Sequence, residues 1–209
     1  MRFISFFRRV SILKTLYFNL HYFGLKGLKM PIIFAPGVKF ISLKGNVILD
    51  FNNPYRGQIK FAKNCTVNIN GILCFKGNAN IGDASGIYVG PNATLTFGNW
   101  FGTTGTMNLN CNKKISFGDG CLVAWEVQFL DTDFHRIIDE TGVINPDKEV
   151  IIGNHVWIGA RTIVLKGTRI ADNVIIGAAS VLTKQYNENY SVYAGNPATL
   201  VKKNVKWDY

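Results

Sequence analysis

The sequence predicts an all-β protein built as a parallel β-helix, in which the chain winds through short strands and tight corners. An aliphatic residue stands at every sixth position between residues 152 and 182. Neither an amphipathic helix nor a half-buried strand has that period, but a coil of three short strands with about eighteen residues per turn does. Glycine or asparagine follows several of these positions, as tight corners require. The aliphatic series is Ile152, Ile158, Val164, Ile170, Ile176 and Leu182.

Upstream of this series the repeat is present but less regular. From about residue 32 the chain breaks into short β-rich pieces separated by Gly, Asn and Pro. Three runs keep the period of six, and large aromatic residues occupy several of their positions. We therefore expect one continuous stack of coils over residues 32–201, followed by a tail at 202–209. The three runs are Ile69, Phe75, Ile81 and Ile87, then Val89, Leu95, Phe101 and Met107, then Phe117, Val123 and Phe129.

The repeat stops after Phe129 and resumes at Ile152. The segment between them, LDTDFHRIIDETGVINPDKEVI, is rich in charged residues and contains Gly142 and Pro146. Such residues do not fit the interior of a solenoid, so the segment is predicted to leave the β-helix as a loop over 130–149. Irregular loops on rigid scaffolds often carry functional residues.

Residues 1–31 form a separate basic, amphipathic segment in this prediction. Residues 1–63 hold 11 Lys and Arg against Asp50 alone, which accounts for the net charge of +10. Charges interrupt every apolar run well before the roughly 18 residues that a spanning helix needs. The segment can cap the first coil of the β-helix or lie on an anionic membrane surface. Its charge is the only feature that favours nucleic acid, so we do not expect a nucleic-acid partner. The residues at helical spacing are Phe3, Phe6, Phe7, Arg8, Arg9, Ile12, Leu13, Lys14, Leu16, Tyr17 and Leu20.

Two motifs make the sequence similar to a known family. The string IGNHVWIGARTIVLKGTRIADNVIIGAASVLTK, with AGNPA at 194–198, resembles the C-terminal half of the left-handed β-helix acyltransferases, the hexapeptide-repeat family of maltose, galactoside and xenobiotic O-acetyltransferases. DTDFH at 131–135 is similar to the catalytic loop of the branch that acetylates capsular and cell-surface sugars. The resemblance covers roughly residues 69–201. It implies a homotrimer that transfers acetyl groups from acetyl-CoA to a sugar hydroxyl, for a surface polysaccharide.

His135 is the predicted general base. Of the other two histidines, His21 lies in the N-terminal segment and His155 at a corner of a regular coil, where a structural role is expected. The resemblance gives His135 the catalytic position of the family. Its imidazole would accept the proton of the attacking hydroxyl and return one to the departing thiolate.

The resemblance also implies residues for the two substrates. Two small residues are expected beside the pantetheine arm of acetyl-CoA, and two lysines near its phosphates. Polar residues before and within the loop are candidates for binding the acceptor. The aspartates among them could instead cap turns or orient His135, and the asparagine could belong to a corner ladder. The donor residues are Ala160, Ala178, Lys184 and Lys202, and the acceptor residues are Asn110, Asp131 and Asp133.

We expect no metal centre. The γ-class carbonic anhydrases, which share the fold, use three histidine ligands, whereas only His135 and His155 lie near the repeat here. The four cysteines match no metal-binding spacing and are expected to fill the interior in a reducing compartment, with a Cys111–Cys121 bridge as the alternative. The protein is therefore expected to be cytoplasmic, with attachment to the inner membrane face through residues 1–30 left open.

Two rival functions remain at this point. The first is a different acetyltransferase activity, either N-acetylation of an amino sugar or O-acetylation of serine. Relatives of the serine enzymes carry a larger helical N-terminal domain. The other is a non-catalytic β-helical scaffold. A scaffold has no use for the DTDFH interruption, which favours an enzyme.

Overall fold

The computed structural model describes residues 10–50 and 58–209. Three parallel sheets, A, B and C, form the faces of a triangular prism, and the chain passes through them in that order in each coil. The predicted left-handed parallel β-helix with an N-terminal helix and an excursion loop is confirmed. The helical prediction for Phe3, Phe6, Phe7, Arg8 and Arg9 falls outside the described residues.

The described chain begins with helical segments and continues in strands. Helix α1 is Ile12–Phe23, and a 3₁₀ helix follows at Gly24–Lys29. The strands up to the loop are β1 (Ile32–Phe34), β2 (Lys39–Leu43), β3 (Asn46–Leu49), β4 (Ile59–Phe61), β5 (Thr66–Ile69), β6 (Ile72–Phe75), β7 (Ala79–Ile81), β8 (Gly86–Val89), β9 (Thr94–Phe97), β10 (Phe101–Thr103), β11 (Asn108–Cys111), β12 (Lys114–Phe117), β13 (Leu122–Val123) and β14 (Gln128–Leu130). The loop contains β15 (Ile138–Asp139) and β16 (Gly142–Val143). The strands after it are β17 (Val150–Ile152), β18 (Trp157–Ile158), β19 (Ile163–Val164), β20 (Arg169–Ile170), β21 (Ile175–Ile176), β22 (Val181–Leu182), β23 (Gln185–Tyr186), β24 (Ser191–Gly195) and β25 (Ala198–Lys203).

Each sheet takes one strand from each coil. Sheet A has the order β1-β4-β7-β10-β13-β18-β21-β24-β25, sheet B the order β2-β5-β8-β11-β14-β19-β22, and sheet C the order β3-β6-β9-β12-β17-β20-β23. Neighbours are parallel except β24 and β25, an antiparallel pair closed by the AGNPA turn. Because β25 extends to Lys203, the boundary predicted between residues 201 and 202 falls inside a strand.

The corners of successive coils stack into three edges. The AB edge joins sheets A and B and consists of residues 35–38, 62–65, 82–85, 104–107, 124–127, 159–162 and 177–180. The BC edge consists of 44–45, 70–71, 90–93, 112–113, 131–149, 165–168 and 183–184. The CA edge consists of 76–78, 98–100, 118–121, 153–156, 171–174 and 187–190. The loop is therefore an enlarged corner of the BC edge.

Coil length explains why the sequence pattern is clearest near the C-terminus. Trp157 pairs with Ile175, 18 residues later. Asn108 pairs with Gln128, 20 residues later, so the upstream corners are longer and shift the register of six. Every residue of the predicted aliphatic series is nevertheless buried.

Phenylalanine rings fill the interior of these wider upstream coils. Phe75 and Phe97 stack with ring centroids 5.3 Å apart, and Phe97 and Phe117 with centroids 5.4 Å apart. Contacts of this kind continue from Phe34 near the N-terminus to Phe129 before the loop. Large rings in close contact bury much apolar area without leaving voids.

Helix α1 covers the free edge of β1. Asn19 donates its side-chain amide to the carbonyl of Ile32 at 2.6 Å, and the amide of Phe34 donates to Thr15 Oγ1 at 3.1 Å. Phe18 is fully buried against Phe34. These bonds satisfy an edge that would otherwise be open to pairing with another chain, as a cap of the β-helix requires.

A ladder of asparagine and aspartate side chains runs along the CA edge. Asp119 Oδ1 accepts the backbone N–H of Asn99 at 2.7 Å, and Asn154 Oδ1 accepts that of Asp119 at 2.8 Å. Asp172 Oδ1 continues the ladder to the N–H of Asn154 at 2.7 Å. A Cβ on Gly153 would lie 2.4 Å from that oxygen, which explains the glycine.

The cysteines contribute to the core and do not pair. All four are free, and Cys65, Cys111 and Cys121 are buried, so the alternative of a Cys111–Cys121 bridge is wrong. Burial raises the pKa of the Cys121 thiol to about 12. Within residues 10–50 and 58–209, no helix combines the length and the apolar character needed to cross a bilayer.

Candidate active site

The loop leaves the β-helix at a buried carboxylate. Asp131 Oδ1 accepts the backbone N–H of Asn112 at 2.7 Å, and its Oδ2 accepts those of Lys113 and Lys114 at 2.8 and 2.7 Å. The residue has no exposed surface. The prediction that Asp131 binds the acceptor is therefore wrong, because both oxygens cap the preceding corner of the BC edge and neither reaches solvent. The alternative that the sequence left open, a loop cap, describes Asp131.

Asp133 anchors the beginning of the loop to two residues that lie far away in sequence. Its Oδ2 accepts hydrogen bonds from Lys166 Nζ at 2.5 Å and from Asn145 Nδ2 at 2.7 Å. These bonds, with that from Lys166 first, hold the pKa of Asp133 below its ordinary value. Asp133 is thus an ionised anchor through its Oδ2, and its contact with an acceptor stays a prediction.

Asn145 joins both halves of the loop around His135. Besides Asp133, its Nδ2 donates to the carbonyl of His135 at 2.9 Å, and its Oδ1 accepts the N–H of Ile137 at 2.6 Å. Lys166 Nζ also donates to the carbonyl of Asn145 at 2.8 Å. The sequence alone does not identify Asn145 and Lys166 as members of the site, because these contacts join residues up to 33 positions apart and leave no local pattern.

His135 has a fixed backbone and an exposed side chain. Its N–H donates to the carbonyl of Asp133 at 2.7 Å, and its own carbonyl is held by Asn145. No residue that the structure describes hydrogen-bonds the imidazole, so neither Asp131 nor Asp133 orients the ring in this chain. The arrangement presents a histidine ring to solvent on an anchored turn, as a base acting on a bound hydroxyl requires.

The end of the loop is tied to sheet C by charge. Glu149 forms ion pairs with Arg169 and with Lys114, the latter at 3.6 Å. Lys113 Nζ also donates to the carbonyl of Asp147 at 3.2 Å. The loop is therefore fastened at both ends, and its excursion is a defined structure rather than a free insertion.

Asn110 lies next to the root of the loop. Its Cα pairs with that of Leu130, the residue before Asp131, on the outer face of sheet B. Its Nδ2 donates to Asn108 Oδ1 at 3.2 Å, so one side of the amide remains available. The asparagine ladder considered as an alternative lies on the CA edge and does not include Asn110. An acceptor role for Asn110 stays a prediction.

The four residues predicted for the acyl donor do not lie together. Ala160 and Ala178 occupy successive corners of the AB edge, where the carbonyl of Ala160 accepts the N–H of Ala179 at 2.8 Å. Lys184 is exposed on the BC edge, and Lys202 is exposed on β25, the last strand of sheet A. The structure thus pairs the two alanines and separates both lysines from them.

His155 has the structural surroundings expected of a corner residue. Its ring stacks on Trp207 with centroids 4.1 Å apart and an angle of 5°, and its Nδ1 lies 3.2 Å from Asn173 Oδ1. It belongs to the CA edge, whereas His135 belongs to the BC edge. No cluster of three His, Cys, Asp or Glu side chains suited to a metal ion occurs in the described residues.

The repeats and the fold define a class of protein. Residues 149–184 match the family model "Bacterial transferase hexapeptide (six repeats)". The chain thus contains the hexapeptide repeat of bacterial transferases and is similar in sequence to polysialic acid O-acetyltransferases. It is 42% identical to the polysialic acid O-acetyltransferase of Neisseria meningitidis over 117 residues, which cover 55% of this chain and 52% of that protein. The match therefore spans about half the length of that relative.

Two further relatives cover more of the chain. The "uncharacterized 24.8 kDa protein in cps region" of Klebsiella pneumoniae is 27% identical over 188 residues, covering 87% of this chain and 83% of that protein. The crystal structure of the polysialic acid O-acetyltransferase OatWY superposes with a TM-score of 0.56 at 26% identity, covering 82% of this chain and 91% of that chain. The likeness therefore extends through most of the β-helix.

Proposed function

We propose that the protein is an O-acetyltransferase that moves an acetyl group from acetyl-CoA to a sugar hydroxyl in the synthesis of a surface polysaccharide. The observation that carries the proposal is the exposed His135 on an anchored loop of a hexapeptide β-helix. The similarity of the chain to polysialic acid O-acetyltransferases supports the same activity. The sugar acceptor is the part of the proposal that these relatives support most directly.

His135 acts as the general base in the proposed reaction. Its imidazole takes the proton of the sugar hydroxyl while the hydroxyl oxygen attacks the thioester carbonyl. The tetrahedral intermediate then expels the CoA thiolate, and the imidazolium returns the proton to the sulfur. The products are an acetyl ester and free CoA. The thioester is already activated, so this chemistry needs no metal ion.

The donor and the base would meet between two copies of the chain. The predicted donor residues Ala160 and Ala178 lie on the AB edge, whereas His135 lies on the BC edge. Within one chain these edges are separated by the strands of sheet B, which have two to four residues here and are therefore on the order of 7 to 13 Å long. A neighbouring copy that brings its BC edge beside this AB edge would complete the site. This arrangement supports the homotrimer that the sequence resemblance implies.

The loop also has the surface of an interface. Five of its large apolar side chains are more than two-fifths exposed, and clustered exposed apolar side chains of this kind often mark an interaction surface. A neighbouring copy would cover them and exclude water from the reacting groups. These side chains are Phe134, Ile137, Ile138, Val143 and Ile144.

The N-terminal helices suit contact with an anionic membrane surface, in addition to capping the β-helix. Leu13 is 82% exposed and Leu25 84% exposed, and Lys26 and Lys29 lie beside Leu25 and Leu28. Apolar side chains that enter the lipid boundary beside cations that meet the head groups give reversible, peripheral binding. We propose that this surface places the enzyme at the inner face of the membrane.

The function is tested by measuring acetyl-CoA turnover with a panel of surface polysaccharides and their short fragments. Free CoA is expected to appear only with an acceptor, together with acetyl groups that mild alkali removes, as esters do. An alkali-stable product would instead identify N-acetylation of an amino sugar. No turnover with any acceptor, by a protein with unchanged melting, would support the scaffold alternative.

A further inference from the structure

The CA edge carries rings at positions where the backbone favours glycine or asparagine. From the corner at 98–100 onward, each coil places one corner residue in the left-handed region: φ is 59° at Trp100, 67° at Gly120, 51° at His155, 59° at Asn173 and 55° at Tyr190. A side chain other than Gly or Asn costs about 1 kcal/mol there. Three of these five positions nevertheless carry an indole, an imidazole or a phenol. The corner conformation therefore does not explain the rings, which points to a role in binding.

Trp100 forms one wall of a cavity of about 380 Å³ at the upstream end of this edge. Its indole is 66% exposed. Asn80, Gln58 and Lys60 line the same cavity. The cavity therefore combines an uncovered aromatic face, amide groups and an ammonium group.

A second cavity, of about 220 Å³, lies further along the same edge. It is lined by His155, Asn173, Tyr190, Lys206 and Trp207. The chain after β25 builds one wall: the N–H of Val205 donates to the carbonyl of Tyr190 at 2.9 Å, and Trp207 Nε1 donates to the carbonyl of His155 at 3.0 Å. Aromatic, amide and ammonium groups again share one concave surface.

Tyr209 lies against the coil between those of Trp100 and His155. Its hydroxyl donates to the carbonyl of Gly120 at 2.8 Å, which lays the ring beside the one corner of the column that has no side chain. Its ring contacts those of Trp207 and His155, with centroids 5.1 and 6.3 Å away, and the column as a whole runs from the coil of Trp100 to that of Tyr190. At about 4.8 Å per coil, these four steps span roughly 19 Å.

We propose that the CA edge is a second carbohydrate-binding site, separate from the reacting site and suited to a chain of acidic sugars. Aromatic faces contact the C–H faces of sugar rings, and amides pair with hydroxyls. Lys60 and Lys206 supply positive charge, and no carboxylate among the described residues lines either cavity. Of the carboxylates elsewhere on this edge, Asp119 and Asp172 accept backbone N–H groups of the ladder, and Glu188 is paired with Lys203. The inference rests on the proposed function in one respect, that the bound chain is the polymer to be acetylated. Binding it here raises its local concentration at the BC edge.

The test measures binding of three oligosaccharides of equal length to the whole protein by calorimetry: polysialic acid, hyaluronan and neutral dextran. At least one acidic chain is expected to bind more tightly than dextran, and more weakly as salt rises. The double variant Trp100→Ala/Lys206→Ala is expected to weaken that binding tenfold or more. Tyr17→Ala, which removes an exposed ring from α1, is the matched control and should bind as the wild type does.

Several outcomes overturn the inference. These are equal affinity for dextran and the acidic chains, no binding of either acidic chain, or unchanged binding by a double variant that melts at the wild-type temperature. Acetyl transfer to a short acceptor separates this inference from the proposed function, because the double variant leaves the loop untouched and should keep that rate. If the wild type binds acidic chains but transfers no acetyl group, the proposed function is wrong and the second binding site is still supported.

Discussion

Asp133 and Lys166, 33 residues apart, form an ion pair with Oδ2 and Nζ separated by 2.5 Å. The side chain of Lys166 is only 16% exposed, whereas that of Asp133 is 42% exposed. The pair joins the start of the loop to the next corner of the BC edge, and Asn145 bridges it to the backbone of His135. The position of His135 therefore depends on a residue in a different coil.

The pair should make the stability of the loop depend on pH. Because the fold lowers the pKa of Asp133, mainly through the hydrogen bond from Lys166, the ionised carboxylate stabilises the native state. The contribution is complete above the ordinary value of 3.8 and is lost as pH falls through the lower folded value. Asp133→Asn should therefore lower the free energy of unfolding at pH 7, by at most about 1 kcal/mol for so exposed a carboxylate. The difference should shrink below pH 4.

Urea unfolding of wild type and Asp133→Asn across this range measures the difference. Glu140→Gln, which removes an exposed charge from the same loop, is the control and should show no such difference. If the difference in unfolding free energy between wild type and Asp133→Asn stays constant down to pH 3, the partners of Asp133 do not lower its pKa.

Replacing His135 should slow the acetyl transfer without changing the structure. His135→Ala is expected to reduce kcat by roughly 10²- to 10⁴-fold, the usual contribution of general acid–base catalysis, with little change in acetyl-CoA affinity. His21→Gln, a histidine on α1, is the matched control and should keep the wild-type rate with a soluble acceptor. An active His135→Ala enzyme would place the base elsewhere.

Mixing two inactive variants tests whether the site is shared. Ala160→Trp is expected to block the donor groove on the AB edge, and His135→Ala removes the base from the BC edge. If neighbouring copies complete each site, co-assembled trimers should recover about a quarter of the wild-type rate, since half the copies supply each intact edge. Each variant alone should stay inactive. Mixed trimers without activity, of confirmed composition, would place the whole site in one chain.

Replacing exposed leucines should weaken attachment to lipid. Leu13→Asp and Leu25→Asp are expected to reduce co-sedimentation with anionic vesicles several-fold, because each removes an apolar contact and adds a charge that the lipid repels. Leu200→Asp, an exposed leucine on β25, is the matched control and should bind as the wild type does. Equal binding of wild type to neutral and anionic vesicles would contradict the proposed role of charge.

The sequence predicted the fold because the repeat is local and strict. A side chain at each sixth position must point inward, and all six residues of the aliphatic series from Ile152 to Leu182 are buried. The sequence also predicted the loop, because its charged side chains could not enter that interior. The roles of Asp131 and Asp133 were not, because a carboxylate that caps a corner and one that meets a substrate have the same local sequence.

By itself, the sequence determined a β-helix, its interruption and the histidine that the interruption carries, because each follows from residues close together in the chain. Only the tertiary structure decided what surrounds them. It buried Asp131 beneath three backbone amides, joined Asp133 to Lys166, and placed His135 and Ala160 on different edges. Contacts between coils depend on how many residues each corner contains. The period of six in the sequence does not specify that number.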